Sequence, residues 1–512
     1  MSVDIRCLCI VAVSILPIFC PAQIWVARYN GPGNDSDEAS AITVDEAGNV
    51  YVTGSSHGSG TGRDYATVKY DSAGVEQWVA RYNGPGDGYD WASAIAVDGA
   101  GNIYVTGSSY GSTTSCDYAT VKYDSAGVEQ WVARYDGPGN SIDYADAITL
   151  DGAGNVYVAG GSIGTGGYYD YATVKYNSAG VEQWVARYNG PGNVSDEAFA
   201  IACDAAGNVY ATGWSAGSGT GADYATVKYD ALGVEQWVVR YNGPGNDLDI
   251  ATAIAIDSTG NIYVTGGSYG SGTWSDYATI KYDSMGVEQW VVRYNGPGND
   301  YDRALAITLD ATGNIYVTGG SYGSGTWNDY ATVKYDSAGV EQWVARYNGP
   351  GDNYDVASAI ALDWVGNVYT TGYSYGSGTW SDYATVKYNS AGVEQWVARY
   401  DGPGNGDDRA CAIAIDGTGN ACVTGYSAGL GTEFDFATMR YSPVSIEENR
   451  FTVKEVNEIV TTIFSGSLHL PEDKKCKVFD IAGRIVEPDK IQPGIYFVEV
   501  NGVVTQKVVK VR

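Results

Sequence analysis

One phrase, D-Y-A-T-V-K-Y-D-S-A-G-V-E-Q-W-V-A-R-Y-N-G-P-G at residues 64–86, returns almost unchanged through most of the chain. Its tryptophan marks the register: Trp25, Trp78, Trp131, Trp184, Trp237, Trp290, Trp343 and Trp396, each 53 residues after the last. Eight copies without an insertion or deletion confine the chain to a solenoid, a propeller or an array. The repeat fixes an architecture. It does not by itself name a ligand or a reaction.

One unit reads as four short strands, at 39–44, 50–53, 65–70 and 75–82. They are rich in Val, Tyr, Thr and Trp. Turns at 45–49 and 71–74 and a Gly/Ser loop at 54–63 separate them, with Gly, Asp and Asn where turns need them. Four strands joined in series by short loops describe a propeller blade. The strand W-V-A-R-Y occurs eight times from Trp25, and the other three strands occur eight times, ending at Tyr441. The chain therefore opens on a lone fourth strand and closes on a blade that lacks one. Joining the two hides both sheet edges. The expectation is an all-β, eight-bladed β-propeller over residues 23–442, with the N-terminal strand completing the last blade. An open solenoid would need capping repeats, and the sequence has none.

Comparing the copies separates scaffold from surface. Asp45 and its seven equivalents never vary, nor do Gly48 and Asn49 in their columns, as a turn with an Asp acceptor and a positive-φ glycine requires. The tyrosine columns headed by Tyr29, Tyr51, Tyr65 and Tyr70 are nearly fixed and read as core between blades. Variation gathers at positions 35, 36, 38, 55, 57, 62 and 63 and their equivalents. In an up-and-down blade these all fall on one face. Aromatics recur there: Tyr89, Trp91, Trp214, Tyr269, Trp274, Tyr322, Trp327, Tyr373, Tyr375 and Trp380. Variable loops on a rigid scaffold suit binding, and such aromatics suit sugar rings or protein partners. Rings folded back over the blade ends are the plainer alternative.

Charge and chemistry narrow the field. The formal charge is −30, spread over the copies, which disfavours nucleic acid and anionic membranes and attracts cations. Carboxylates recur in the loop between blades, as Asp35 with Asp37 and Asp300 with Asp302, an oxygen-rich pattern suited to Ca²⁺. No other cofactor is expected. Every copy holds G-x-S-x-G, but the reading places it in a loop between strands, and the chain has only His57 and His469 as candidate bases, so a serine hydrolase is not expected. Near-identical blades give a ring of equal carboxylates and single out no glycosidase pair. Of eight cysteines, Cys7, Cys9 and Cys20 lie near the N-terminus, and the other five form neither a disulfide framework nor a zinc pattern. Cys411 and Cys422 share one hairpin, at offsets that do not place them opposite each other.

Residues 1–22 read as a secretory signal peptide, with Arg6 before an apolar run from Cys7 to Phe19 and Ala22 at the cleavage point. No later segment is apolar enough to cross a membrane, so the mature chain is expected to carry no transmembrane segment. After Pro443 the repeat stops, Lys and Glu appear, and residues 443–512 read as a small β-rich module.

The core of each unit, A-I-x-V-D-x-x-G-N-V-Y-V-T-G, resembles the bacterial SBBP β-propeller repeat, which implies a secreted or surface propeller. The stretch A-T-V-K-Y-D-S-A-G-V-E-Q-W at 66–78 is also similar to the blade motif of pyrroloquinoline quinone enzymes, whose vicinal cysteine pair has no counterpart here. The tail resembles the C-terminal sorting domain of the type IX secretion system, through V-F-D-I-A-G-R at 478–484, P-G-I-Y-F-V at 493–498 and two late lysines. The resemblance rests on Asp480, Gly483, Arg484, Gly494, Tyr496, Lys507 and Lys510. It implies an Ig-like β-sandwich, export through the type IX machinery, and a place outside a bacterium that has an outer membrane. The Pro-Asn-Pro usual near the start of such domains is absent. The expected protein is thus a secreted or cell-surface binding or adhesion module for a glycan or protein, not an enzyme. The alternatives are a structural surface protein and, behind it, a quinoprotein-like or glycan-active enzyme. The residues expected to hold the ligand are Trp91, Trp214, Trp274, Trp327, Trp380, Tyr269, Tyr322 and Tyr375.

Overall fold

The computed structural model describes residues 19–447, 460–464, 476–480, 485–487, 491–492, 494–500 and 503–510. The signal-peptide reading of residues 1–22 falls mostly outside them. The chain divides into two units, 19–446 and the two chain ends.

The larger unit is a β-propeller of eight four-stranded antiparallel blades. Blade 1 is Asp37–Val44, Val50–His57, Arg63–Tyr70 and Glu76–Tyr82, in that order across the sheet. Six more blades repeat it. In the eighth, Asp408–Ile415, Ala421–Ala428 and Phe434–Glu447 are joined by the N-terminal strand Phe19–Tyr29, which pairs with Phe434–Glu447. The first strands of successive blades pack side by side around the ring, and that of blade 1 meets that of blade 8. The ring is closed as expected, and at the seam Phe434–Glu447 is paired on both sides.

Local geometry explains the fixed columns. Each first strand carries a bulge: Ala39 faces Gly54 and Ala41 faces Thr53, so Ser40 is left unpaired. The bulge presses the first strand onto the second. A Cβ on Gly54 would lie 2.0 Å from the Glu38 carbonyl oxygen, which is why that column is glycine. The marker tryptophan spans blades. Trp78 donates its Nε1–H to the Ser125 carbonyl of the next blade at 3.2 Å and packs over Gly127, which has φ 81° and no room for a side chain. At the seam Trp25 does the same to Ser72 and Gly74. Tyr51, Tyr65 and Tyr70 are buried, and Tyr65 reaches the Ala119 carbonyl of the next blade at 3.2 Å. The core thus lies between blades, in eight repeated clusters.

One expectation needs correcting. The second strand runs from Val50 to His57 and the third starts at Arg63, so Gly54, Ser55 and Ser56 of the G-x-S-x-G pattern lie on a strand and not in the loop. The ladder continues because Ser56 pairs with Asp37 on one side and Asp64 on the other. Cys422 sits opposite Ala414 and Cys411 occupies the bulge, and both are free thiols.

In the smaller unit the described residues form one four-stranded sheet, in the order Val460–Phe464, Val503–Lys510, Gly494–Val500, Cys476–Asp480. The first pair is parallel and the others antiparallel. The expected sandwich would need a second sheet, which is not among the described residues.

Candidate functional site

The face that carries the variable positions is built on a buried polar clamp, repeated in every blade. Asp37 is fully buried, accepts from the backbone N–H of Gly31 and of His57, and is hydrogen-bonded by Ser56. These bonds tie the loop between blades to the end of the second strand. Burial raises the carboxyl above its ordinary range, although the hydrogen bonds oppose that shift. Ser56 is held in turn by Arg81, which donates to its hydroxyl at 2.6 Å, its carbonyl at 2.7 Å, Asp64 at 2.8 Å and the Tyr29 hydroxyl of the neighbouring blade at 2.9 Å. The serine of G-x-S-x-G is therefore spent on structure.

On this clamp the loop at 30–36 meets the end of the second strand, where the loop at 58–62 begins, through the Gly33 N–H bond to the His57 carbonyl. At two successive blades three aromatics from different segments converge. Tyr269 ends a second strand, Trp274 closes the following loop and Tyr301 comes from the loop between blades. The Tyr269 ring lies 6.3 Å from Trp274 and 6.3 Å from Tyr301, edge-on to both. One repeat later Tyr322, Trp327 and Tyr354 recreate the well, with centroids 6.0 Å and 5.1 Å apart and the two tyrosine hydroxyls 3.4 Å apart. The hydrogen bond to Tyr354 pushes the Tyr322 hydroxyl up to about 12. Trp274 and Trp327 remain 58% and 49% exposed, so their rings are open to a ligand.

The other expected residues divide. Tyr375 and Trp380 stand in the same places on blade 7, but the third position there is Asp407, which accepts from Ser381, so that well lacks a wall. Trp91 is exposed and stacks on Tyr89 at 5.5 Å and 18°, a separate aromatic step on blade 2. Trp214 is not part of the exposed set: it is half-buried, and its Nε1–H points to Glu197 at 3.3 Å. Tyr301 and Tyr354 complete the wells, yet sequence reading did not single them out. Their signal was present in the variable column of position 36, where both are tyrosine.

Of the expected metal residues, Asp37 and Asp302 are the buried clamps, with Asp302 accepting from Gly296 and Tyr322 and raised to about 6 by burial. Asp35 is exposed, caps the Ser36 N–H at 2.7 Å, and Asp300 lies in the equivalent loop. Of the sorting-motif residues, Asp480 pairs with Tyr496, Gly494 with Lys510 and Phe497 with Lys507. The Tyr496 hydroxyl donates to the Gln492 carbonyl at 3.0 Å. Gly483 and Arg484 lie outside the described residues.

The SBBP β-propeller repeat family matches residues 24–60, 77–112 and 236–272, so the chain carries repeats of that type. No curated protein matches it in sequence. Among solved structures it is similar to Drosophila Plexin A in complex with Semaphorin 1b (8% identity, TM-score 0.40, 83% of this chain and 88% of that one). A eukaryotic initiation factor shares 8% identity at TM-score 0.36 over 72% of this chain and 89% of that one. A putative gluconolactonase shares 10% at TM-score 0.31 over 59% and 90%.

Proposed function

We propose that this propeller is a binding module whose ligand is a glycan, held on the loop face. The observation that carries the reading is the Tyr–Trp–Tyr well, built twice on neighbouring blades with an open indole in each. A flat aromatic surface beside polar loops suits the apolar face of a sugar ring, and two equivalent wells suit a repeating saccharide, where linked contacts gain avidity. The near-identical blades also favour binding over catalysis, since one clamp is repeated around the ring. Export by the N-terminal segment and the sorting-type tail, to the outside of a bacterium with an outer membrane, belongs to the same proposal.

The test is a broad glycan array probed with the full-length chain. Selective binding is expected, weakened at least tenfold in Trp274→Ala and in Trp327→Ala and abolished in the double variant. A blank array, or binding indifferent to both substitutions, would overturn the glycan reading in favour of a protein ligand or a structural role.

A further inference from the structure

The clamp varies in only one respect that adds charge, and it does so twice. We propose that Asp117, Asp136 and Asp143, and separately Asp382, Asp401 and Asp408, form two binding sites for a calcium-like divalent cation. In each set an oxygen from every carboxylate lies within 4.8 Å of those of the other two. Calcium takes oxygen ligands at about 2.3–2.6 Å, so two ligands of one ion stand no more than about 5 Å apart. The two sets are five repeats apart and occupy identical columns.

Two of the three carboxylates occur in every blade. The third is the exception: Asp136 and Asp401 replace the asparagine found at 30, 83, 189, 242, 295 and 348. Where it is asparagine, its amide serves the loop, as Asn30 donates to Asn34 at 2.8 Å. Where it is aspartate, a third carboxylate joins the cluster while its guanidinium stays paired with one of them, Arg134 at 2.8 Å from Asp117 or Arg399 at 2.7 Å from Asp382. Thr114 and Thr379 donate to the same two aspartates, and the Asn405 amide faces Asp401. Each cluster keeps an excess of two negative charges that no described cation offsets.

A second feature points to a guest. The side chains of Asp117 and Asp382 are only 5% and 7% exposed, and Oδ1 of each is sealed from solvent with no hydrogen-bond partner among the described residues. A buried carboxylate oxygen without a donor is costly, and a divalent cation would satisfy it. The equivalent oxygen is unpartnered in other blades too, but there the third position is a neutral amide. These sites differ from the Asp35 and Asp300 loops, and they stand or fall independently of the glycan reading.

The natural repeats supply the controls. Asp136→Asn and Asp401→Asn give each cluster the side chain that six blades already carry, so the fold is expected to tolerate both. Calorimetric titration of the chelator-stripped, full-length chain with CaCl₂ is expected to show two ions per chain, one in either single variant and none in the double. The melting temperature in chelator is expected not to fall in any of them, since each substitution removes one of three mutually repelling carboxylates. Absence of calcium binding at millimolar concentration would overturn the proposal. So would a stoichiometry that survives the double variant, or one lost instead on Asp35→Asn and Asp300→Asn.

Discussion

Arg81 shows how much of this molecule hangs on single side chains. It is 22% exposed, and its partner Asp64 only 6%. It bonds two strands of its own blade and the Tyr29 hydroxyl of the neighbour. Removing one partner of a buried pair strands the other charge, at about 3 kcal/mol or more. Arg81→Ala is therefore expected to lower stability by about 3 kcal/mol. Arg81→Lys should recover little of this, because an ammonium cannot reproduce the planar fork. Glu38→Gln, at the more exposed pair with Arg63, should cost less than about 1 kcal/mol. Urea unfolding of the three variants measures the contrast, and equal midpoints would refute it. Sequence reading saw the fixed columns of this clamp but could not say what fixed them. Ser56 and Arg81 are 25 residues apart, and only the blade brings them together.

At the scale of the element, the N-terminal strand is the clasp of the ring. Arg28 donates to Ser427 at 2.6 Å, Asp435 at 2.8 Å and Tyr400 at 2.9 Å, the same set that Arg81 makes within the ring. Deleting residues 23–30 is expected to lower the melting temperature sharply, because it uncovers the Phe434–Glu447 edge and strands Asp435. It should also promote self-association through that edge, visible by size-exclusion chromatography. An unchanged, monomeric deletion variant would show that the seam carries no stability. The clasp was legible in advance because counting strands left one unmatched at each end. Strand length was not: glycine and serine at 54–56 look like loop, and only the bulged pairing of Ala39 over Gly54 makes glycine necessary inside a strand. The aromatic wells were half legible. Trp274 and Trp327 stand out from their columns, whereas Tyr301 and Tyr354 join them only through a fold that sets two loops side by side.

For the whole molecule, eightfold repetition turns small titration effects into a property of the ring. Two aspartate columns pull in opposite directions. Asp45, Asp98, Asp151, Asp204, Asp257 and Asp310 accept from turn amides, Asn side chains and tyrosine hydroxyls, which together outweigh burial and hold them below the usual range, at about 2 for Asp257 and Asp310. A lowered carboxyl stabilises the fold above its unfolded value near pH 4, and that contribution is lost as pH falls through about 2. The clamp column is raised: Asp37, Asp90, Asp249 and Asp355 in direction, and Asp302 to about 6, by burial. Burial also raises Asp146, on the first strand of blade 3, to about 8, with Glu197 adding to it. A raised carboxyl holds its proton more tightly folded than unfolded, so its stabilising contribution is complete below about pH 4 and is lost as pH rises through the folded value. Together the columns place maximum stability at about pH 4–5, acid of neutrality. The melting temperature, followed from pH 2 to 9 in chelator, should peak there and decline on both sides. A curve that climbed from pH 5 to pH 7.5 would show that the buried clamps are already ionised at no cost, and would remove the desolvated carboxylate ring from the account of what holds the blades together.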